Sequence, residues 1–333
     1  MSVKLAVVIP VLNEVSYLAN LIQTVIQMAN NYEYEIFIAD GGSLDGSVGL
    51  VNGIASNNPR VHYLHNVGKI QACGVNQVAR SLDSTFTHLI RLDAHSLYPA
   101  DFISNIMRAF EQYDVSSVVV PMHTVGQDGF TNAAALAFNS ILGNGASAHR
   151  NSSGTTFVDH GHHAGFLLKD YLALGGYDET FIANEDAEYD FRLTSSGKKI
   201  LLLNEAEISY FPRDSSLGIF RQYKKYGQYR FLNLWKHKSI PKIRQLLPVF
   251  SFWSLCLTFI SVLLVPVFNS TALLLVIPFG VYVSFAVLAS LALFKSSGII
   301  RAGRASMIAM TAHLSFGFGF TASLLRCLVY VKS

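Results

Sequence analysis

The chain has 333 residues and a formal net charge of only +3. That total hides a partition: residues 1–220 carry all 22 Asp/Glu against 12 Lys/Arg, and residues 221–333 carry 13 Lys/Arg and no acid. A basic, acid-free block beside long apolar runs points to an anionic membrane surface, and with no recognised binding module it argues against nucleic acid as a partner.

The start, Met1 to Pro10, is short and apolar and reads as a first strand over Leu5–Ile9 rather than a signal peptide. Helical periodicity follows at Val15–Ala29, with Leu18, Leu21, Ile22, Val25 and Ile26 on one side. Next come a strand at Glu35–Asp40, a helix at Ser47–Ala55, a strand at Val61–Leu64 and a helix at Lys69–Leu82. A strand at His88–Asp93, a helix at Ala100–Tyr113 and a strand at Ser116–Met122 complete the run. Strands spaced by helices imply right-handed βαβ units and a parallel sheet covered on both faces, an α/β fold. Residues 123–165 are rich in Gly, Ser, Asn and His and read as a long binding loop. Ala187–Ser196 reads as helix and Lys199–Leu203 as strand, and Leu217–Trp235 as an interfacial amphipathic helix broken at Gly227.

Leu246–Phe268, Thr271–Phe294 and Ser306–Leu325 are apolar runs long enough to cross a bilayer, which needs about 20 residues per helix. The expected organisation is an α/β domain over 1–215, an amphipathic helix and basic linker over 216–245, and a membrane region over 246–333 with helices at 246–268, 271–294 and 306–325. Eight Lys/Arg precede the first run, and Lys295, Arg301 and Arg304 lie between the second and third, whereas Asn269-Ser270 carries none. By the positive-inside rule this predicts a multi-pass protein of the inner (cytoplasmic) membrane with its soluble part in the cytosol. Arg326 and Lys332 would then face outward, so the third run has an interfacial alternative. Cys73, Cys256 and Cys327 suggest neither a disulfide framework nor a zinc site, which fits a reducing compartment.

Asp40 and Asp93 close two strand-like runs, and Glu185-Asp186 follows later. Ligands of open α/β sheets sit at the carboxyl ends of strands. Close carboxylates repel unless a cation or a donor lies between them, and a metal-bound diphosphate would supply one. Taken in order, Val7-Val-Ile-Pro-Val-Leu-Asn-Glu14, Asp40-Gly-Gly-Ser43, Asp93-Ala-His95 and Asn184-Glu-Asp-Ala-Glu188 resemble family 2 glycosyltransferases. The resemblance extends to the ExoA-like, succinoglycan-type exopolysaccharide branch through Arg213-Asp-Ser-Ser-Leu217 and Arg221-Gln-Tyr-Lys-Lys-Tyr-Gly227.

The resemblance implies a GT-A fold, a Rossmann-like nucleotide-sugar-binding domain, followed by membrane helices. It implies an inverting hexosyltransferase that moves a sugar such as glucose from a UDP-sugar to a polyprenyl-diphosphate-linked saccharide. Asp40 would bind the uracil, with Pro10, Glu14 and Gly41 lining the nucleotide pocket. A turn aspartate and a helix-start glutamate are the plain alternatives for Asp40 and Glu14. Lys69 is either a phosphate contact or an exposed lysine at a helix start. Asp93 stands where the family has Asp-X-Asp and would hold Mg2+ or Mn2+, with His95 as a second ligand that suits Mn2+ better. Asp186 would be the general base and Glu185 its support; the alternative is a helix start capped by Asn184.

Gln222, Lys225 and Tyr226 resemble a Gln-x-x-Arg-Trp motif with two replacements and are expected near the acceptor, or as snorkelling interface residues. His160, His162 and His163 lack a fourth zinc ligand and are expected to line the donor or acceptor pocket, with His163 at the acceptor; His88, His123 and His313 read as structural. Rival functions are a polyprenyl-phosphate sugar synthase, a non-catalytic nucleotide-sugar-binding membrane protein and a transporter.

Overall fold

The computed structural model describes residues 3–140, 143, 154–268 and 274–330. The chain groups into two compact units, Met1–His123 with Ala148–Tyr210, and Thr124–Ser147 with Phe211–Ser333. The expected border at residue 215 therefore lies close to one junction, but the grouping also assigns 124–147 to the C-terminal unit.

In the first unit, β1 (Lys4–Val11), β2 (Glu33–Asp40), β3 (Val61–His65) and β4 (His88–Arg91) alternate with α1 (Val15–Met28), α2 (Ser47–Ala55) and α3 (Gln71–Ser81). There follow β5 (Ser96–Leu97), α4 (Phe102–Gln112), β6 (Ser117–Val120) and β7 (Met122–Thr124). After α5 (Gly129–Phe138), which belongs to the second unit, come β8 (Thr156–Val158), β9 (His162–Leu167), α6 (Leu168–Ala173), α7 (Glu185–Ser195), β10 (Ile200–Leu202) and β11 (Ile208–Tyr210).

The main sheet has the order β3-β2-β1-β4-β9-β6-β10-β8, and β5-β11-β7 form a second, small sheet. Strand alternation divides the core into two layers. Leu5, Val7, Ile9 and Val11 pack with Leu18, Ile22 and Val25 of α1 and Phe102 and Ile106 of α4. Ala6 and Val8 face Val75 and Val78 of α3, Tyr171 of α6 and Tyr189 of α7. Each such large apolar side chain contributes about 1.5–3 kcal/mol by leaving water.

The sheet is mixed, where a parallel one was expected. β1 pairs in parallel with β2 and β4, but β9 runs antiparallel between β4 and β6. β9 begins inside the stretch read as loop and runs two residues past its end. Its alternation is interrupted by a bulge, since Val118 pairs with Gly165 and Val119 with His163, skipping Ala164. The expected strand 116–122 divides at Pro121, which has no N–H for a ladder. The remainder of the expected loop holds α5 and β8, and its residues 141–142 and 144–153 lie outside the described residues.

In the second unit α5 starts on a capping box, Asp128 accepting from the Thr131 N–H. Its Ala133, Ala134, Ala137 and Phe138 pack with Ile219 of α8 (Ser216–His237) and with Ala305, Ile308, Ala309 and Ala312 of α11 (Ile299–Tyr330). α9 (Ile243–Phe268) and α10 (Ile277–Ser297) complete the unit. α8 is continuous through Gly227, contrary to the expected break. Gly227 is buried there, and a Cβ would overlap the Phe316 carbonyl, as one on Gly319 would overlap that of Lys224. The glycines serve close helix approach.

Among the described residues, three helices are long and apolar enough to cross a membrane: Ile243–Val265, Leu274–Phe294 and Ile299–Val329. The third is longer than the expected 306–325. Gly298, at φ 78°, ends α10, and Arg301 and Arg304 fall inside α11 rather than in a connection. Asn269-Ser270 and Lys332 lie outside the described residues.

Candidate active site

The carboxyl ends of β1, β2, β3 and β4 share one edge of the sheet because these strands are parallel. β9 is antiparallel to β4, so its amino end, with His162 and His163, reaches the same edge. Three loops there are tied together. The Asn13 N–H donates to Ser43 Oγ at 2.8 Å, and Asn13 Oδ1 accepts from the Leu44 N–H at 2.8 Å. Asp40, nearly fully buried, accepts from the N–H groups of Gly42 at 2.9 Å and Ser43 at 3.0 Å, so its own turn orients the carboxylate. A Cβ on Gly41 would lie 2.9 Å from the Lys69 carbonyl, and Lys69 itself has φ 61°. Asp40, Gly41 and Lys69 are thus neighbours through their backbones. Pro10 sits in the β1–β2 ladder opposite Ala39, three residues before the turn at Asn13.

Arg91 organises the second half of the site. It is buried at 5% exposure at the end of β4, directly after Leu89 and Ile90. Its Nη2 donates to Asp93 Oδ1 at 3.0 Å and its Nη1 to the Tyr177 hydroxyl at 3.2 Å, with Glu185 Oε1 at 3.9 Å from Nη1. Glu185 Oε1 also accepts from Gln71 Nε2 at 3.0 Å. His162 Nε2 lies 3.4 Å from Asp93 Oδ2. Asp93 and Glu185 are therefore gathered around one guanidinium, the donor that adjacent carboxylates require, and Asp186 follows Glu185 directly in the chain.

The environments of these groups differ. Burial alone would raise Asp93, but Arg91 beside it, with His162 and His95, holds its carboxyl below the usual range. Burial and the neighbouring Asp186 charge push Glu185 up. Against its own burial, Asp186 is held down by His160, His163 and Arg91. Burial lowers His162 to about 4, so the ring is neutral near pH 7. Two adjacent carboxyls pushed apart in this way can take different acid–base roles.

Asn184 starts α7 in the left-handed region at φ 56° and makes no capping hydrogen bond with its side chain. The capping alternative for this segment is therefore not what the structure contains. The three acids of the first turn, Glu185, Asp186 and Glu188, instead lie at the positive end of the helix dipole.

His95, expected as a metal ligand beside Asp93, has its Nδ1 3.0 Å from Glu14 Oε1, which joins the ends of β1 and β4. Among the described residues no three His, Cys, Asp or Glu form a metal cage. The donor set nevertheless fits a hard cation that takes most of its oxygens from substrate phosphates. Asp93 spends one contact on Arg91 and one on His162, and a carboxylate offers about four lone-pair sites.

His163 does not line an acceptor surface. It is buried at 1% exposure, with Nδ1 2.6 Å from the Tyr177 hydroxyl and Nε2 2.6 Å from Asp190 Oδ1. His160 Nδ1 lies 2.8 Å from the other oxygen of Asp190. Gln222, Lys225 and Tyr226 belong to the second unit, on α8, where Gln222 Nε2 donates to the Tyr226 hydroxyl at 3.0 Å. Sequence reasoning missed Arg91, Tyr177 and Asp190. An arginine between Leu89-Ile90 and Leu92 was the signal for Arg91, and the one-turn spacing from Asp186 was the signal for Asp190.

A family model described as Glycosyl transferase family 2 matches residues 6–174. The chain belongs to this family, and its first unit has the mixed α/β, GT-A-like fold that the resemblance implied. It is 40% identical over 243 residues to the succinoglycan biosynthesis protein ExoA of Rhizobium meliloti, across 73% of this chain and 74% of that protein. It is 22% identical, over 67% of this chain and 71% of that protein, to a dolichyl N-acetyl-alpha-D-glucosaminyl phosphate 3-beta-D-2,3-diacetamido-2,3-dideoxy-beta-D-glucuronosyltransferase of Methanococcus voltae. Among solved structures, the mannosyltransferase PcManGT from Pyrobaculum calidifontis, in complex with GDP-Man and Mn2+, aligns with a TM-score of 0.56 at 14% identity over 96% of this chain and 86% of that one. GalNAc-T7 with UDP, GalNAc and Mn2+ aligns at 0.51 and 15% identity, over 70% of this chain and 50% of that one.

Proposed function

We propose that the protein is an inverting, membrane-anchored glycosyltransferase of exopolysaccharide biosynthesis. It transfers a hexose such as glucose from a UDP-sugar to a polyprenyl-diphosphate-linked saccharide. The observation that carries this reading is the Arg91 bridge, which gathers Asp93 and Glu185 around one guanidinium whose charge also holds down the adjacent Asp186. Asp186, kept ionised, takes the proton of the acceptor hydroxyl as that oxygen bonds to the anomeric carbon. The bond from that carbon to the diphosphate oxygen breaks, and its electron pair leaves with UDP. Glu185, pushed up, keeps its proton further into the neutral range and supports the base.

Asp93, with His95 near it, would hold Mg2+ or Mn2+, which when bound offsets the charge of the leaving diphosphate. Asp40, Gly41, Pro10 and Glu14 line the nucleotide side, and Lys69 serves a phosphate. Gln222, Lys225 and Tyr226 serve the acceptor at the membrane surface. The three apolar helices support a multi-pass protein of the inner membrane, where a lipid-held acceptor gains effective concentration. The relative from Methanococcus voltae, whose name specifies a sugar already on a lipid phosphate, supports a saccharide acceptor over bare polyprenyl phosphate.

The test is incubation of membranes with labelled nucleotide sugars and lipid-linked acceptors. A UDP-sugar should extend a lipid-linked saccharide, EDTA should stop the reaction, and Mn2+ or Mg2+ should restore it. Asp186→Asn should keep UDP binding and lower the rate by about 10²-fold or more. Full turnover by that variant removes the base assignment, transfer without metal removes the cation role of Asp93, and transfer only to polyprenyl phosphate makes the protein a synthase of that lipid.

A further inference from the structure

We infer that Tyr177, His163 and Asp190 form a buried positioning relay that fixes the Arg91 guanidinium, and through it Asp93 and Glu185, in the arrangement that sugar transfer requires. The inference rests on the function proposed above.

The relay has a single consistent order of donors. Arg91 Nη1 donates to the Tyr177 hydroxyl at 3.2 Å, the hydroxyl donates to His163 Nδ1 at 2.6 Å, and His163 Nε2–H donates to Asp190 Oδ1 at 2.6 Å. A second proton on His163 Nδ1 would leave the Tyr177 hydroxyl proton without an acceptor, because Arg91 already points a donor at the same oxygen. The chain thus starts on a cation, ends on a carboxylate and satisfies each link between them.

Asp190 and Tyr177 are each anchored from outside the relay. Asp190 also accepts from the Gly161 N–H at 3.2 Å and lies 2.8 Å from His160 Nδ1. Tyr177 is clamped by Asn76, whose Nδ2 donates to its carbonyl at 2.8 Å and whose Oδ1 accepts its N–H at 2.9 Å. Arg192 holds the preceding turn, Nη2 donating to the Gly176 carbonyl at 2.7 Å.

A purely structural core would not need these groups. Replacing buried polar networks by apolar side chains of similar volume is often neutral or stabilising. Here three polar side chains at 2% exposure or less lead to Arg91, whose remaining contacts are the site carboxylates. Its Nε has no hydrogen-bond partner, so the fork is held from its Nη groups. Without the Tyr177 hydroxyl the guanidinium is free to move between Asp93 and Glu185, and a displacement of about 1 Å at such a site costs on the order of 10²-fold in rate.

The experiment is a double-mutant cycle of Tyr177→Phe and Arg91→Lys on purified full-length protein. It reads kcat, donor KM, thermal midpoint and the Mn2+ titration of the UDP complex by electron paramagnetic resonance. Tyr177→Phe should lower kcat about tenfold with donor KM changed less than about threefold, and should weaken Mn2+ binding with UDP several-fold. In the Arg91→Lys background the same change should have no further effect, since a lysine cannot bridge. An equal loss in both backgrounds, or wild-type kcat and Mn2+ binding in Tyr177→Phe, overturns the relay. If Tyr177→Phe does not fold, Asp190→Asn is read in the same way. If the wild type transfers no sugar from any donor, the proposed function falls, and the Mn2+ titration alone decides the relay.

Discussion

Burial changes what a single ionisable residue does for this protein. His88 is 8% exposed and packs against Phe110, and burial lowers it to about 4 from an ordinary 6.5. Between those values the unfolded chain binds a proton that the folded protein refuses. Stability is therefore fully present above pH 6.5 and is lost as pH falls towards 4, by about 3 kcal/mol for this residue. His162 is shifted in the same direction. Thermal unfolding of the detergent-solubilised protein from pH 7 to 4 should show His88→Gln losing less stability than wild type, and parallel curves would contradict this. The same burial explains which site residues could be read from the chain. Asp40, Asp93 and the Glu185-Asp186 pair announce themselves by ending strands or opening a helix. Apart from the Arg91–Asp93 contact, Arg91, Tyr177 and Asp190 act through partners 14 to 94 residues away, such as Tyr177 on His163 and Arg91 on Glu185, and no local pattern encodes those meetings.

α1 follows its sequence pattern because one face of it is apolar, and β1 because its continuous apolar run is buried on both faces. β9 does not, because the bulge at Ala164 breaks the alternation that marks a strand. Glycine has two opposite meanings within the helices. On the seam between α8 and α11, Gly319 faces the Lys224 carbonyl with no room for a Cβ, whereas a Cβ on Gly303, in the same helix, meets nothing within 4 Å. Gly319→Val should therefore destabilise by about 1–3 kcal/mol through overpacking. Gly303→Ala should stabilise by about 0.5–1 kcal/mol through helix propensity. Thermal midpoints in detergent measure both, and equal effects would remove the close-approach argument.

For the whole molecule, charge decides orientation. Every acid lies in the first 220 residues and every charge after them is positive. On the multi-pass reading proposed above, the positive-inside rule keeps the basic segment ahead of α9 in the cytosol and places Asn269-Ser270 on the other side. An alkaline phosphatase fused after Asn269 should be active in the periplasm, and a reporter active only in the cytosol would reverse the orientation. Composition made the membrane region legible, but the discontinuous grouping of the chain was not, because the apolar helix within 124–147, Gly129–Phe138, is too short for a span and rich in small residues.

That grouping bears on how the protein can be handled. Because 124–147 leaves the first unit and returns at 148, no single cut yields the catalytic half alone. A truncation at Tyr210 would still contain α5 but would strip it of Ile219, Ala305, Ile308, Ala309 and Ala312. Ala133, Ala134, Ala137 and Phe138 would then meet water, giving a sticky fragment prone to aggregate. A tractable soluble version needs the α5 excursion excised or its apolar stripe recoded as well as the tail removed.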